Sequence, residues 1–137
     1  KNAARFEFPA LLDAFNICLN SGKNVIITGH SMEKETTSPE GTRYQKNIPV
    51  AEREIWTRVS RWASIVAFIG PRIEQDPLKS KGLKKVAKPD FDRFMHVETT
   101  PYCEAKNWWG LRGVISCGTN GKECHDNFMS ALQHSAA

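Results

Sequence analysis

Several residues of this chain have the types and spacing that handle phosphate. His30 directly follows the run Val25-Ile26-Ile27-Thr28-Gly29, which reads as a buried strand. Ligands of open α/β sheets gather at the carboxyl ends of strands. An imidazole there can donate to a phosphate oxygen; the plainer use of the same residue is a strand-end cap facing solvent. Lys34, Arg43 and Lys46 stand among serine, threonine and glycine between residues 31 and 49. Lysine and arginine neutralise phosphates, while hydroxyl and backbone groups add position without reading sequence. Glu33, Glu35 and Glu40 oppose them, so a solvated loop is the alternative. Lys79, Lys81, Lys84, Lys85 and Lys88 form the densest charge cluster, suited to a nucleic-acid backbone or simply to water. The net charge of +4 permits contact with a polyanion without demanding it.

Other chemistries fit less well. Tyr102, Trp108 and Trp109 can stack on a base. Adjacent tryptophans, however, suit a core edge or a subunit interface better. Cys103, Cys117, Cys124 and His125 follow the pattern C-x13-C-x6-C-H, which lacks the close C-x2-4-C knuckle of a zinc site. His96 falls inside a strand pattern, where a hydrogen-bonded core or surface histidine is expected. Asp13, Asp90 and Asp92 have no paired-carboxylate spacing, and no Ser/His/Asp nucleophile arrangement is evident. The pattern G-x-x-x-x-G-K-[ST] is absent.

The elements that must position these residues follow from periodicity. Phe8, Leu11, Leu12, Phe15 and Leu19 recur at helical spacing, with Cys18 beside them. Pro9 suits a first turn and Gly22 a C-terminal cap. Residues 24–28 are a short β-branched run expected as a buried parallel strand. Residues 31–49, with Pro39, Gly41 and Pro49, read as a long loop. A second helix is predicted over 51–63, with Ile55, Trp56, Val59 and Trp62 on one face. Further strands are predicted at 65–69, 94–97 and 114–117. Between them lie a basic mobile loop or hairpin at 72–92 and an irregular aromatic segment at 101–111. A terminal helix over 123–134 offers Phe128, Met129 and Leu132 as its apolar face. Helix and strand alternate, which predicts an α/β fold: one mainly parallel sheet with flanking helices, forming a single partial domain over residues 1–137.

The order of parts resembles the C-terminal half of phage nucleotide-binding proteins with a RecA-like P-loop ATPase core, the ATPases that accompany single-strand annealing and recombination. The resemblance rests on His30 closing a strand, Lys34 four residues on, and the turn Pro39-Glu40-Gly41. It continues through Glu98-Thr99, Ala105-Lys106-Asn107, Trp109 and Gly110-Leu111, and covers roughly residues 6–133. The resemblance implies a RecA-like core whose phosphate-binding half precedes this chain, so ATP and magnesium belong to the intact protein and neither is expected on this chain alone. It implies that His30 senses the γ-phosphate and that the loop after it faces single-stranded DNA. It also implies a homo-oligomer or filament in which Lys106 reaches nucleotide across a subunit border, and a single-strand annealing protein as partner. Ser64 departs from the pattern, which has an acidic residue before the second strand.

The bulk numbers agree with part of a domain. The chain has 137 residues, of which 40% are hydrophobic. It begins without methionine and opens straight into a helix, which fits a fragment of a longer protein and equally a chain that has lost its initiator methionine. There is no apolar leader segment and no apolar run of the roughly 18 residues that a membrane span needs. The four cysteines form no C-x-x-C pair. They suit free thiols in a reducing cytoplasm, the host's if the chain is phage-encoded, better than a disulfide framework.

Overall fold

The computed structural model describes residues 3–72 and 92–135, and for residues 3–6 the backbone alone. It divides into two compact units, Lys1–Met32 with Pro49–Trp62, and Glu33–Ile48 with Ala63–Ala137.

The first unit is a pair of helices. In α1 (Ala3–Asn20), Phe8, Leu12, Phe15 and Cys18 lie half-buried at helical spacing. In α2 (Arg53–Trp62), Ile55, Trp56, Val59 and Trp62 do the same, as the periodicity predicts. The rings of Phe15 and Trp62 meet at 5.9 Å, and Trp62 Nε1–H donates to Asn16 Oδ1 at 2.8 Å. Gly22 ends α1 as expected. It sits at φ +77° and donates to the Leu19 carbonyl, while Lys23 N–H reaches the Cys18 carbonyl. This pair of bonds satisfies the last carbonyls of a helix and needs a residue free of Cβ strain. The start of α1 differs from expectation: Pro9 lies inside the helix, so α1 forgoes one backbone bond there.

The expected strand at residues 24–28 does not form. The segment is irregular and mostly exposed, with Ile26 85% accessible. The expected loop at 31–49 is instead largely a pair of strands, β1 (Ser31–Thr37) and β2 (Arg43–Pro49), bonded to each other. Their connection explains why. Gly41 N–H donates to the Ser38 carbonyl at 2.9 Å, Ser38 N–H donates to the Thr42 carbonyl at 2.8 Å, and Gly41 has φ +86°. Proline at the first central position and glycine at the left-handed one are what a three-residue hairpin loop demands.

The second unit holds the core. β3 (Ile65–Val66) pairs with β6 (Lys106–Asn107), with Ile65 opposite Asn107. β4 (Phe68–Gly70), β5 (Phe94–His96) and β7 (Val114–Ser116) form a three-stranded sheet with β5 central. Phe68 faces His96, and Met95 faces Ile115. Val97, Leu111 and Ile115 are buried, with Ile65, Ala67, Met95, Phe128, Ala131 and Leu132 packed around them. α3 (Gly121–Ser135) supplies the last three. Met129, expected on that face, is exposed, and Ala131 takes the place. His96 is buried as a core histidine, its Nε2 3.0 Å from the Pro71 carbonyl.

These pairings correct the expected fold class. The β3–β6, β4–β5 and β5–β7 pairs are all antiparallel, so the described residues form no parallel RecA-like sheet. The run 65–69 misleads for a physical reason. A short apolar run reads the same as one buried parallel strand or as two short antiparallel ones. Here Ala67 interrupts it, and the two halves pair with different partners.

Candidate nucleic-acid interface

Between Glu98 and Leu111 the chain is closely hydrogen-bonded to itself. The Glu98 carboxylate accepts Gly113 N–H, and the Thr99 hydroxyl donates to the Ala105 carbonyl. Thr100 closes a tight turn. Its N–H donates to the Cys103 carbonyl at 3.1 Å, and its Oγ1 accepts Tyr102 N–H at 3.2 Å. That turn buries Cys103 completely. The β2 strand docks on it, with Asn47 N–H donating to the Tyr102 carbonyl at 2.7 Å and the Tyr44 and Tyr102 rings edge to face.

Asn107 organises the next turn. Its Nδ2 donates to the Val97 and Leu111 carbonyls at 2.9 and 3.0 Å, and its Oδ1 accepts Leu111 N–H at 2.8 Å. One side chain thus closes Trp108-Trp109-Gly110 into a loop, with Gly110 in the left-handed region at φ +71°. Trp108 N–H donates to the Ser64 carbonyl at 3.1 Å, so the turn is also fixed at its base. The two tryptophans it carries point outward, 66% and 57% exposed. Lys106 Nζ lies 4.3 Å from the centre of the Trp108 ring and donates to the Ala63 carbonyl at 2.8 Å. A cation over an indole face is an attractive pair, favoured by the ring quadrupole. The result is two exposed aromatic planes beside a held positive charge. Aromatic planes accept any base by stacking, and a neighbouring cation meets the phosphate.

Of the two packing roles expected for Trp108 and Trp109, a core edge or a subunit interface, their exposure removes the core edge. Sequence reasoning passed over the turn because nothing local reveals that Asn107 folds back on Leu111. A signal was present all the same, in the glycine two residues after Trp108, which permits the left-handed turn.

The other candidate residues are dispersed. His30 is exposed just before β1, and its carbonyl accepts Val50 N–H at 2.8 Å; it does not close a buried strand. Lys34 is exposed on β1. Arg43 pairs with Glu35 at 3.4 Å, and Lys46 with Glu104 at 3.1 Å. Those two cations therefore already face carboxylates, and a phosphate would have to compete for them. Lys106 is held against Ala63 and Trp108 of its own chain. Lys79, Lys81, Lys84, Lys85 and Lys88 lie outside the described residues.

The sequence has no glycine-rich phosphate loop, and the described residues hold no group of three metal-ligating side chains. No described helix is long and apolar enough to cross a membrane. No family model, curated protein or solved structure matches this chain.

Proposed function

We propose that this chain provides a single-stranded-DNA contact of an ATP-dependent phage recombination factor, and that Lys106, Trp108 and Trp109 make it. One observation carries the contact: two exposed indoles on a turn fixed by Asn107, with Lys106 held beside them. Exposed tryptophans on a rigid turn lose little side-chain freedom on binding, and each stacked base is worth about 1–3 kcal/mol. The wider setting rests on the resemblance of the motifs Pro39-Glu40-Gly41, Ala105-Lys106-Asn107 and Gly110-Leu111 to phage recombination ATPases. ATP and magnesium enter as ligands of the intact protein, as does assembly into a homo-oligomer or filament alongside a single-strand annealing protein.

The test is a fluorescence titration of the chain with oligo(dT). The protein has four tryptophans, so stacking at Trp108 and Trp109 should quench a substantial part of the emission. Trp108→Ala and Trp109→Ala should each weaken binding by roughly 5- to 150-fold, the equivalent of one lost stack. Lys106→Ala should lower the dependence of affinity on salt by about one phosphate contact. Unchanged affinity in both tryptophan variants would end this reading. DNA binding by the intact protein with no difference between ATP and ADP would favour a non-catalytic binding module.

A further inference from the structure

Asn120 ends the loop that leads from β7 into α3, and it is the one asparagine of the chain that glycine follows. It caps the helix. Its carbonyl accepts Cys124 N–H at 3.1 Å, and its Oδ1 accepts Glu123 N–H at 3.0 Å. The residue before it is pinned as well: the Glu123 carboxylate accepts the Thr119 N–H at 2.7 Å and the Thr119 hydroxyl at 3.0 Å. The side-chain amide is thus held over the first turn, where Gly121 supplies the first backbone nitrogen. No described residue's carbonyl accepts Gly121 N–H, and a Cβ built on Gly121 would meet nothing within 4 Å. Both residues are exposed. The other described asparagines differ. Asn16 and Asn127 lie inside helices, where the next N–H is committed to the carbonyl four residues back. After Asn20, Ser21 N–H reaches the Ile17 and Cys18 carbonyls, both at 3.1 Å; after Asn107, Trp108 N–H is held by the Ser64 carbonyl. Asn24 and Asn47 precede the β-branched Val25 and Ile48, whose side chains crowd the backbone nitrogen.

We infer that Asn120 is a site of spontaneous deamidation, an acyl transfer from its side-chain amide to the Gly121 nitrogen that ends by uncapping α3. Hydroxide takes the Gly121 amide proton. The nitrogen attacks Asn120 Cγ, and the charge that develops on Oδ1 is met by Glu123 N–H and by the positive end of the helix. The Cγ–Nδ2 bond then breaks, and Nδ2 leaves as ammonia with a proton from water, which restores the hydroxide. A five-membered cyclic imide now joins the two residues. Water opens it at either carbonyl, and no electrons change hands. Breaking the bond between the nitrogen and Cγ gives aspartate, which caps a helix as well as asparagine does. Breaking the bond between the nitrogen and the backbone carbonyl carbon gives isoaspartate. That product adds a methylene to the main chain and turns the capping group into a backbone carbonyl, so Glu123 N–H loses its partner. The helix that is uncapped carries Phe128, Ala131 and Leu132 to the core.

The experiment ages the whole folded chain in mildly alkaline buffer and digests samples over time with trypsin. Cleavage after Arg112 and Lys122 yields residues 113–122, whose sole amide side chain is Asn120. That peptide should gain about 1 Da, as an amide –NH2 becomes –OH, and should split into two species on chromatography. Peptides bearing Asn20 and Asn107 should keep their mass. Gly121→Ala should suppress the gain and keep the helix, since the space for a methyl group is open and alanine favours the helix over glycine. Deamidated chains carry an added negative charge and separate by ion exchange. They should melt below Asn120→Asp, which holds the aspartate product alone. A folded chain that keeps the mass of 113–122 while the same chain in guanidinium chloride gains it would overturn the inference, because the fold would then protect the amide. So would an earlier gain at any other asparagine. Equal melting of the aged, deamidated chains and Asn120→Asp would overturn the uncapping.

Discussion

Replacing Asn107 by alanine is the sharpest test of how the tryptophan turn is held. The side chain makes three hydrogen bonds, to the Val97 carbonyl, the Leu111 carbonyl and the Leu111 N–H, at 2.8–3.0 Å. Val97 and Leu111 belong to the small buried core. Each bond contributes about 1 kcal/mol, and each partner left dry and unpaired costs about 1–3 kcal/mol. Asn107 is itself only half-buried, so water can reach part of the vacated space and relieve some of the loss. The expected destabilisation is therefore about 2–4 kcal/mol, a large share of a typical domain's stability. For a chain of this size that corresponds to a drop in Tm of roughly 6–15 °C. Urea unfolding followed by tryptophan emission measures it, and the midpoint should fall while the slope stays constant. Asn107→Asp adds a charge-specific control. It keeps an acceptor for Leu111 N–H but sets a carboxylate oxygen against two carbonyls, which raises the pKa of the introduced carboxyl in the folded state. Its destabilisation should be full above that raised pKa and should fade as the group protonates on acidification. A loss below about 0.5 kcal/mol for Asn107→Ala, the range of ordinary surface substitutions, would refute the claim that this side chain holds the turn.

Lys46 and Glu104 should couple by about 0.5–1 kcal/mol in a double-mutant cycle, since their side chains are only 23% and 34% exposed. Arg43 and Glu35, exposed by 78% and 63%, should couple less and lose it in high salt; strictly additive single variants at Lys46 and Glu104 would contradict this. Hydrogen bonds from the Thr119 N–H and then its hydroxyl hold the Glu123 carboxyl below its ordinary range. A depressed folded pKa contributes stability above the unfolded value and loses it as pH falls through the folded one. Thermal melts followed by circular dichroism should therefore show an acid loss that Glu123→Gln reduces, and an identical pH profile in that variant would count against the contact.

Short-range patterns were legible in the sequence. The apolar stripes of α1 and α2 and the Gly22 cap follow from residues within a few positions of one another. So do the short strands at 94–96 and 114–116. The hairpin at Pro39-Glu40-Gly41 was also written locally, in turn chemistry that a polar loop reading passes over. What the sequence could not rank was partners. Residues 24–28 and 65–69 carry the same β-branched, apolar character, yet the first is left exposed and the second divides between β6 and β5. Burial of a strand depends on which distant segment offers an edge, and hydropathy has no term for that. The candidate interface shows the same division. Lys106, Trp108 and Trp109 were visible as residue types, but their exposure follows from Asn107 reaching Val97 across the fold and from Trp108 bonding to Ser64. Periodicity and turn chemistry determined the local elements because their energetics act over a single turn. The antiparallel pairing and the outward tryptophans were decided by contacts between residues far apart in the chain, which only the tertiary structure brings together.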